Sequence, residues 1–425
     1  MPQKPSASSP LPTLGLLALA GGLGVIFNFV GRWRNLPVAV PQFIALMLAA
    51  GALYVTGVYL VERFILGPSA LLVIVLGALF FRLCLLPRDP ALSNDVYRYQ
   101  WEGRVERLHI NPYAVNPAML SLSALEESRH PIETGRNVST LYPPLSEISF
   151  SWVSTIGGYK VLYTGFDLAA LGVLAALLVV LKQPLQRLLT YAWNPCILIS
   201  FAMCGHHDSL AIFTLLAAIL FLLLRRPALS VSFLALSAIS KFFPALLLPI
   251  ILKRTRAAYA ALFIAIAGLS YLPFLSAGSR LFKGLSDYAT GWENNDSLFR
   301  LIRFAGNSKS QAELVAGVLV LIVVAVTLRL HLEPLGASLL LISSLLFLSP
   351  NAFPWYFTWI VPFLCFYPRA PLLLITISSF LGYAPVVAYA AGQPYRDSNF
   401  ILLLEYAPVL ALLLYQGCRV LRPAS

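Results

Sequence analysis

Apolar runs long enough to cross a bilayer recur along most of the chain, with polar stretches between them. A crossing takes about 20 residues at helical rise, and a helix satisfies its own backbone in lipid. Three such runs, near 11–31, 40–60 and 69–86, precede a long polar region from Pro87 to Leu141. Others follow near 159–181, 188–204, 207–224, 227–252, 257–275, 312–330, 336–349, 355–367, 371–390 and 400–418. Pro244 interrupts the run 227–252, which reads as a hairpin of two short helices. The stretch LSEISFSWVSTIG (145–157) is too short and polar for a span and is expected to dip into the outer leaflet. The pattern predicts an all-α polytopic membrane protein with about 12–14 transmembrane helices. It forms one integral membrane domain over 1–425, with 87–141 as the main extracytoplasmic loop and 276–311 as the second.

Within the main loop the period changes. From Asp95, the positions Tyr97, Trp101, Val105 and Leu108 recur at helical spacing, while Asp95, Arg98, Glu102 and Glu106 fall on another face. This predicts an amphipathic juxtamembrane helix lying on the membrane surface, its aromatic rings at headgroup level and its charges toward water and lipid phosphate.

Composition agrees with the pattern: 59% of the residues are hydrophobic, 11% are charged and the mean hydropathy is +0.78. A soluble enzyme on a single anchor is excluded. The net charge of +12 would suggest nucleic acid in a soluble protein. Here the all-basic loops LRRP (224–227), LKRTR (252–256) and RVLR (419–422) explain it as the mark of cytoplasmic loops, so no nucleic-acid partner is expected. The mixed-charge loop 87–141, with six Arg and seven Asp or Glu, then faces outside. The five cysteines are scattered without CxxC spacing and read as buried thiols. The first run is longer than a signal-peptide core and lacks a basic leader beyond Lys4, so it reads as a span.

Several polar constellations fall on the outer side. Asp95 reads either as a helix N-cap or as a general base beside Arg98 or Arg104, whose guanidinium forks suit an anionic lipid group. The turn GHHD places His206, His207 and Asp208 between two spans; it suits a polar turn or a substrate contact better than a metal site, since adjacent turn residues converge poorly on one ion. Lys241 of SKFFP, inside the hairpin, needs either an acidic partner or a lipid phosphate, and the phosphate is favoured. GWENNDS (291–297) offers Trp292 and Asn295 to sugar hydroxyls or forms a plain exposed turn. SPNAFPWYFTW (349–359), with Trp355 and Tyr356, suits an interfacial belt or the wall of an isoprenoid channel.

Taken in order, the Asp-led helix, NPY (111–113), YPPL (142–145), WNP (193–195), GHHD (205–208), KFFP (241–244), WENNDSLF (292–299) and PWYFTW (354–359) resemble the GT-C superfamily of integral-membrane glycosyltransferases. The likeness is strongest to polyprenyl-phosphate-mannose-dependent mannosyltransferases, which include bacterial alpha-mannosyltransferases and the catalytic subunit of GPI mannosyltransferase I. It runs from about Ser93 to Phe363. The chain departs from that pattern in three places. Asp95 stands without a paired carboxylate, His207 replaces an Asn in the turn, and three spans rather than one precede the main loop.

The resemblance implies a GT-C-like bundle and transfer of a hexose, in the first place mannose, from a polyprenyl-phosphate donor to an acceptor hydroxyl, with inversion. It implies Asp95 as the base, and Arg98, Arg104, Lys241 and His206 around the donor phosphate. Substrate contacts would come from Tyr99, Glu102, Asn111, Tyr113, Tyr142, His207, Asp208, Trp292, Asn295, Trp355 and Tyr356. The acceptor would be a lipid-linked glycan, a glycolipid or a protein. No cofactor is required and no metal ligand is assigned, though a divalent cation is compatible. Short loops in a bilayer-embedded bundle suggest a bacterial plasma membrane, with the site on the extracytoplasmic face. The competing class is a multi-span transporter or flippase. Against it, the KFFP hairpin has no counterpart in the second half of the chain, whereas transporters commonly repeat such features.

Overall fold

The computed structural model describes residues 10–421 apart from 34, 35, 37, 38, 91, 120, 122–124, 126–131, 133 and 134. Helices α1 (Pro10–Gly31), α2 (Val40–Arg63), α3 (Pro68–Leu85), α4 (Asp95–Arg107), α5 (Pro144–Ser151) and α6 (Ile156–Val180) open a series that closes with Asn399–Leu421. Among the described residues the β structure is confined to an isolated bridge between Asn294 and Asn351. Among the described residues seven helices are long and apolar enough to cross a membrane, and an eighth results if Tyr259–Ser270 and Leu272–Gly291, bent by 86°, form one broken span. Asp208–Leu223, Pro227–Ala238 and Pro334–Leu348 are shorter apolar helices. The protein is therefore an all-α polytopic membrane protein, with fewer full-length helices than the apolar runs suggest.

The shortfall has a local cause. The run 188–204 divides at Asn194–Pro195 into Leu189–Ala192, Pro195–Leu198 and a π-turn at Ile199–Met203. Likewise 227–252 breaks after Ala238 and resumes at Phe243–Leu247 around Pro244, and 355–367 contains Pro354–Trp359 and Val361–Leu364. Proline lacks the N–H that continues a helix and clashes with the preceding turn, so these apolar stretches fold as short pieces.

The chain packs as two compact units. One comprises Met1–Arg88, Leu174–Met203 and Ala352–Ser425; the other comprises Asp89–Val173 and Cys204–Asn351. In the first, α1 and α3 lie against each other, and the Trp193 indole N–H donates to the Ile74 carbonyl at 2.9 Å. The buried Arg82 donates to the carbonyls of Ala78 and Ala192, both at 3.0 Å. Cys196, Cys204 and Cys365 are buried free thiols and Cys84 is half-buried.

The second unit is organised around α4. The expected helix exists, but it does not lie with its charges in water: Val96, Tyr99, Gln100, Trp101, Glu102 and Val105 are all buried. Trp101 and Val105 pack with Ile132, while Tyr99 stacks on Phe150 of α5 at 4.5 Å between ring centres. Of the charges that looked like a solvated face, Glu102 is fully buried and pairs with Arg98 at 2.7 Å. The helix carries no side-chain cap, and Asn94, not Asp95, is its N-cap residue, so the N-cap reading of Asp95 does not hold.

Helix α5 starts where it does because Pro144 sits in its first turn and pushes the preceding Pro143 to extended backbone, ψ 162°. Its polar residues Ser146, Glu147 and Ser149 turn inward. The close approach of α4 to α5 depends on Gly103: a Cβ there would lie 2.1 Å from the Phe150 carbonyl oxygen and 2.7 Å from the Tyr159 hydroxyl. Gly103→Ala is expected to destabilise the protein by about 1–3 kcal/mol through forced separation of the two helices. The check is a lower thermal midpoint in detergent than that of Gly157→Ala, where a Cβ meets nothing.

The two polar loops pack on each other. The Asn111 amide donates to the Phe274 carbonyl and to Ser276 Oγ, both at 2.8 Å, and Tyr113 meets Phe274 edge to face. Gly284 fits against the carbonyls of Ser139 and Thr140.

Candidate active site

The turn Gly205–Asp208 is the centre of the polar cluster in the second unit. Gly205 takes φ +72°, which favours glycine, and a Cβ there would press on Lys160 Cγ at 3.0 Å. Beyond it, His206, His207 and Asp208 are fully buried, and Asp208 begins the helix Asp208–Leu223.

Three elements converge on that turn. From α4, Asp95 Oδ2 lies 3.5 Å from His206 Nδ1, and the Tyr99 hydroxyl lies 3.1 Å from His207 Nδ1. From the hairpin, Lys241 Nζ lies 3.0 Å from Asp208 Oδ1. From α5 and its approach, the rings of Tyr142 and Phe150 meet His207 edge-on, at 5.0 and 5.6 Å between centres. The hairpin is registered on α5 by two bonds: Leu145 N–H donates to the Ile239 carbonyl at 2.9 Å, and Ser146 Oγ donates to the Ser240 carbonyl at 2.6 Å. Thus, of the two partners weighed for Lys241, the folded chain itself supplies the acidic one, Asp208.

Exposure separates the members of the cluster. The Asp208, His206 and His207 side chains are 0% exposed, whereas those of Asp95 and Lys241 are 35% and 16% exposed. One carboxylate and one ammonium therefore reach open space from a buried polar base. Partial burial pushes the Asp95 carboxyl up to about 6; the Lys241 charge opposes that rise and the Asp208 charge adds to it. Near neutral pH such a group is an ionised carboxylate basic enough to take a proton.

The remaining expected residues lie in other surroundings. Arg98 uses its guanidinium inside the protein, on Glu102 at 2.7 Å and on the carbonyls of Gly135 and Val138 at 3.1 and 2.8 Å. Arg104 donates to the Leu125 carbonyl at 2.7 Å. Tyr113 donates its hydroxyl to the Tyr142 carbonyl at 2.7 Å, which ties NPY to YPPL. Trp292 and Asn295 belong to a folded turn in which Asn294 N–H donates to the Pro350 carbonyl and the Asn351 amide donates to the Trp292 carbonyl. In the other unit, Trp355 stacks on Phe353 at 4.7 Å and Tyr356 on Trp359 at 4.6 Å. Among the described residues, no group of three or more His, Cys, Asp or Glu is arranged to hold a metal ion.

Two buried groups escaped the reading of the sequence. Glu147 is fully buried beside Glu102 and accepts a hydrogen bond from the Thr140 hydroxyl at 2.5 Å. Lys160 is 2% exposed against Gly205. A signal for Glu147 was present, since a carboxylate two residues after YPPL sits in a segment too apolar to leave it in water.

Residues 18–255, more than half of the chain, fit the family model described as alpha-(1->6)-mannopyranosyltransferase, N-terminal domain. The matched region includes Asp95, Tyr99, Tyr142, His206, His207, Asp208 and Lys241, and ends before Trp292. No curated protein matches the chain.

Proposed function

The chain belongs to the alpha-(1->6)-mannopyranosyltransferase N-terminal-domain family, and from that membership we propose that it moves mannose from a polyprenyl-phosphate carrier to the C6 hydroxyl of a mannoside acceptor. Family membership carries the coarser part, a membrane-embedded mannosyltransferase. The observation that supports the finer part is the exposure pattern of the cluster: Asp95 and Lys241 reach open space above the buried His206, His207 and Asp208.

In this mechanism Asp95 accepts the proton of the acceptor hydroxyl as its oxygen attacks the anomeric carbon. The bond from that carbon to the phosphate oxygen breaks, and the electron pair leaves on polyprenyl phosphate. Lys241, 3.0 Å from Asp208, stabilises the charge that develops there. His206 Nδ1 lies 3.5 Å from the carboxylate. A single displacement inverts the anomeric centre, so an alpha product requires a beta-linked mannosyl phosphate. A lipid donor suits a site reached from a bilayer, and the acceptor is a lipid-linked glycan, a glycolipid or a protein carrying a mannosyl end.

Charge distribution supports an extracytoplasmic site. The helix Asp208–Leu223 carries the cluster at one end and Arg225 and Arg226 beyond the other. Its 16 residues separate the two by about 24 Å at 1.5 Å per residue. Basic residues favour the cytoplasmic side, which supports a site with Asp95 and Lys241 toward the opposite face; the bilayer of this proposal is a bacterial plasma membrane.

Because the base must be ionised, kcat/KM is expected to rise with pH through about 6 and then level, following the raised Asp95 value. A pH profile with purified protein, polyprenyl-phosphate mannose and an alkyl mannoside tests this. A rate that falls as pH rises through that range would contradict the assignment. The same assay run with a phosphate-linked glucose tests the choice of sugar.

A further inference from the structure

Glu102, Glu147 and Arg98 form a buried group one helical turn or more from Asp95. Both glutamates are 0% exposed. Arg98 pairs with Glu102 Oε1 at 2.7 Å, and the two carboxyl groups lie within hydrogen-bonding reach of each other. Glu147 Oε1 accepts from Thr140, while Oε2 of Glu102 and Oε2 of Glu147 are buried without a hydrogen-bond partner when both groups are written as carboxylates. Two fully buried carboxyls set against one guanidinium leave one negative charge in excess. Like charges in contact cannot both ionise there, and a single proton shared by the pair removes the excess and supplies the missing bond.

The group also holds a segment that walls the site. Arg98 donates to the carbonyls of Gly135 and Val138, Glu147 holds Thr140, and Tyr142 N–H donates to Thr140 Oγ1 at 3.2 Å. Tyr142 then meets His207 and Tyr99 edge to face. A chain of contacts runs from the carboxyl pair to the turn that faces Asp95.

We propose that Glu147 is a positioning residue: it stands as the neutral acid, donates to the Glu102 carboxylate, and so clamps residues 135–142 onto α4 and α5 with Tyr142 against His207. The link to turnover rests on the assignment of the reaction centre to Asp95 and Lys241; the shared proton does not. The other charged or titratable groups facing the pair are Glu106 and Asp95 on α4, Tyr113 and Tyr142 on the adjoining loop, and Tyr159 and Tyr163 on α6. Burial and the Glu102 charge raise Glu147 well above the ordinary carboxyl range. Its folded-state value exceeds its unfolded one, so its contribution to stability is full at low pH and is lost as pH rises toward the raised value.

The test compares Glu147→Gln and Glu147→Ala in the full chain. Glutamine keeps an acceptor for Thr140 and a donor for Glu102 without a titrating proton. It is expected to hold kcat within about threefold of wild type, whereas alanine lowers it about tenfold or more through the lost bonds, at little change in donor KM. The wild type should show a protonated-carboxyl C=O band in its infrared spectrum that Glu147→Gln lacks, and a thermal midpoint that falls more steeply than that of Glu147→Gln as pH rises from the ordinary carboxyl range toward the raised value. Loss of activity in Glu147→Gln as deep as in Glu147→Ala would overturn the proposal, as would absence of the band. Should Glu147→Ala not fold, the infrared and pH comparison of wild type with Glu147→Gln decides alone. If Asp95→Asn keeps full turnover while that comparison comes out as expected, the reaction-centre assignment fails and the shared proton stands.

Discussion

Asp95→Asn is expected to lower kcat by about 10²–10⁴, the usual contribution of a positioned general base, with little change in donor KM. The substitution keeps the size and shape of the side chain and removes its ability to take a proton. Asp95 is 35% exposed, and its carboxyl lies 3.5 Å from His206, a separation beyond that of an ordinary hydrogen bond. Stability should therefore change by less than about 0.5 kcal/mol, as at a surface position. Single-turnover transfer from polyprenyl-phosphate mannose, measured beside the thermal midpoint, separates loss of chemistry from loss of fold. Turnover within threefold of wild type would remove Asp95 as the base.

Lys241→Gln should affect both properties at once. The ammonium lies 3.0 Å from a fully buried Asp208, so its removal leaves an uncompensated interior charge and costs about 3–5 kcal/mol of stability. It also deletes the cation proposed for the leaving phosphate, lowering kcat by about 10²–10³. The pair Lys241→Gln with Asp208→Asn distinguishes the two effects. Neutralising both partners should restore most of the stability, because the buried charge is gone, without restoring the rate. Recovery of turnover in the double variant would show that Lys241 acts only by balancing Asp208.

The two variants probe different elements, and that division reflects how the cluster is built. Asp95 opens α4, Asp208 opens the helix after the GHHD turn, and Lys241 lies in the broken hairpin between Pro227–Ala238 and Phe243–Leu247. Serine and proline chemistry, not charge, aligns the last of these: Ser146 reaches the Ser240 carbonyl from a helix that Pro144 starts.

Membrane embedding, the all-α class and the likeness to mannosyltransferases were legible in the order of residues, because long apolar runs and short motifs are local properties. The Asp95, GHHD and KFFP motifs were each visible for the same reason. Their convergence was not, since it depends on a positive φ at Gly205 and on a hairpin docked to α5 nearly 100 residues earlier in the chain. Periodicity misled at α4: the spacing of Tyr97, Trp101, Val105 and Leu108 promised a surface helix, yet Glu102 is fully buried. A hydrophobic pattern marks which face avoids water, but it is blind to whether the polar face meets solvent or a compensating partner. Arg98 supplies such a partner to Glu102 from within the fold, so tertiary structure decided which charges were paired in the interior and which, Asp95 and Lys241, stayed partly exposed.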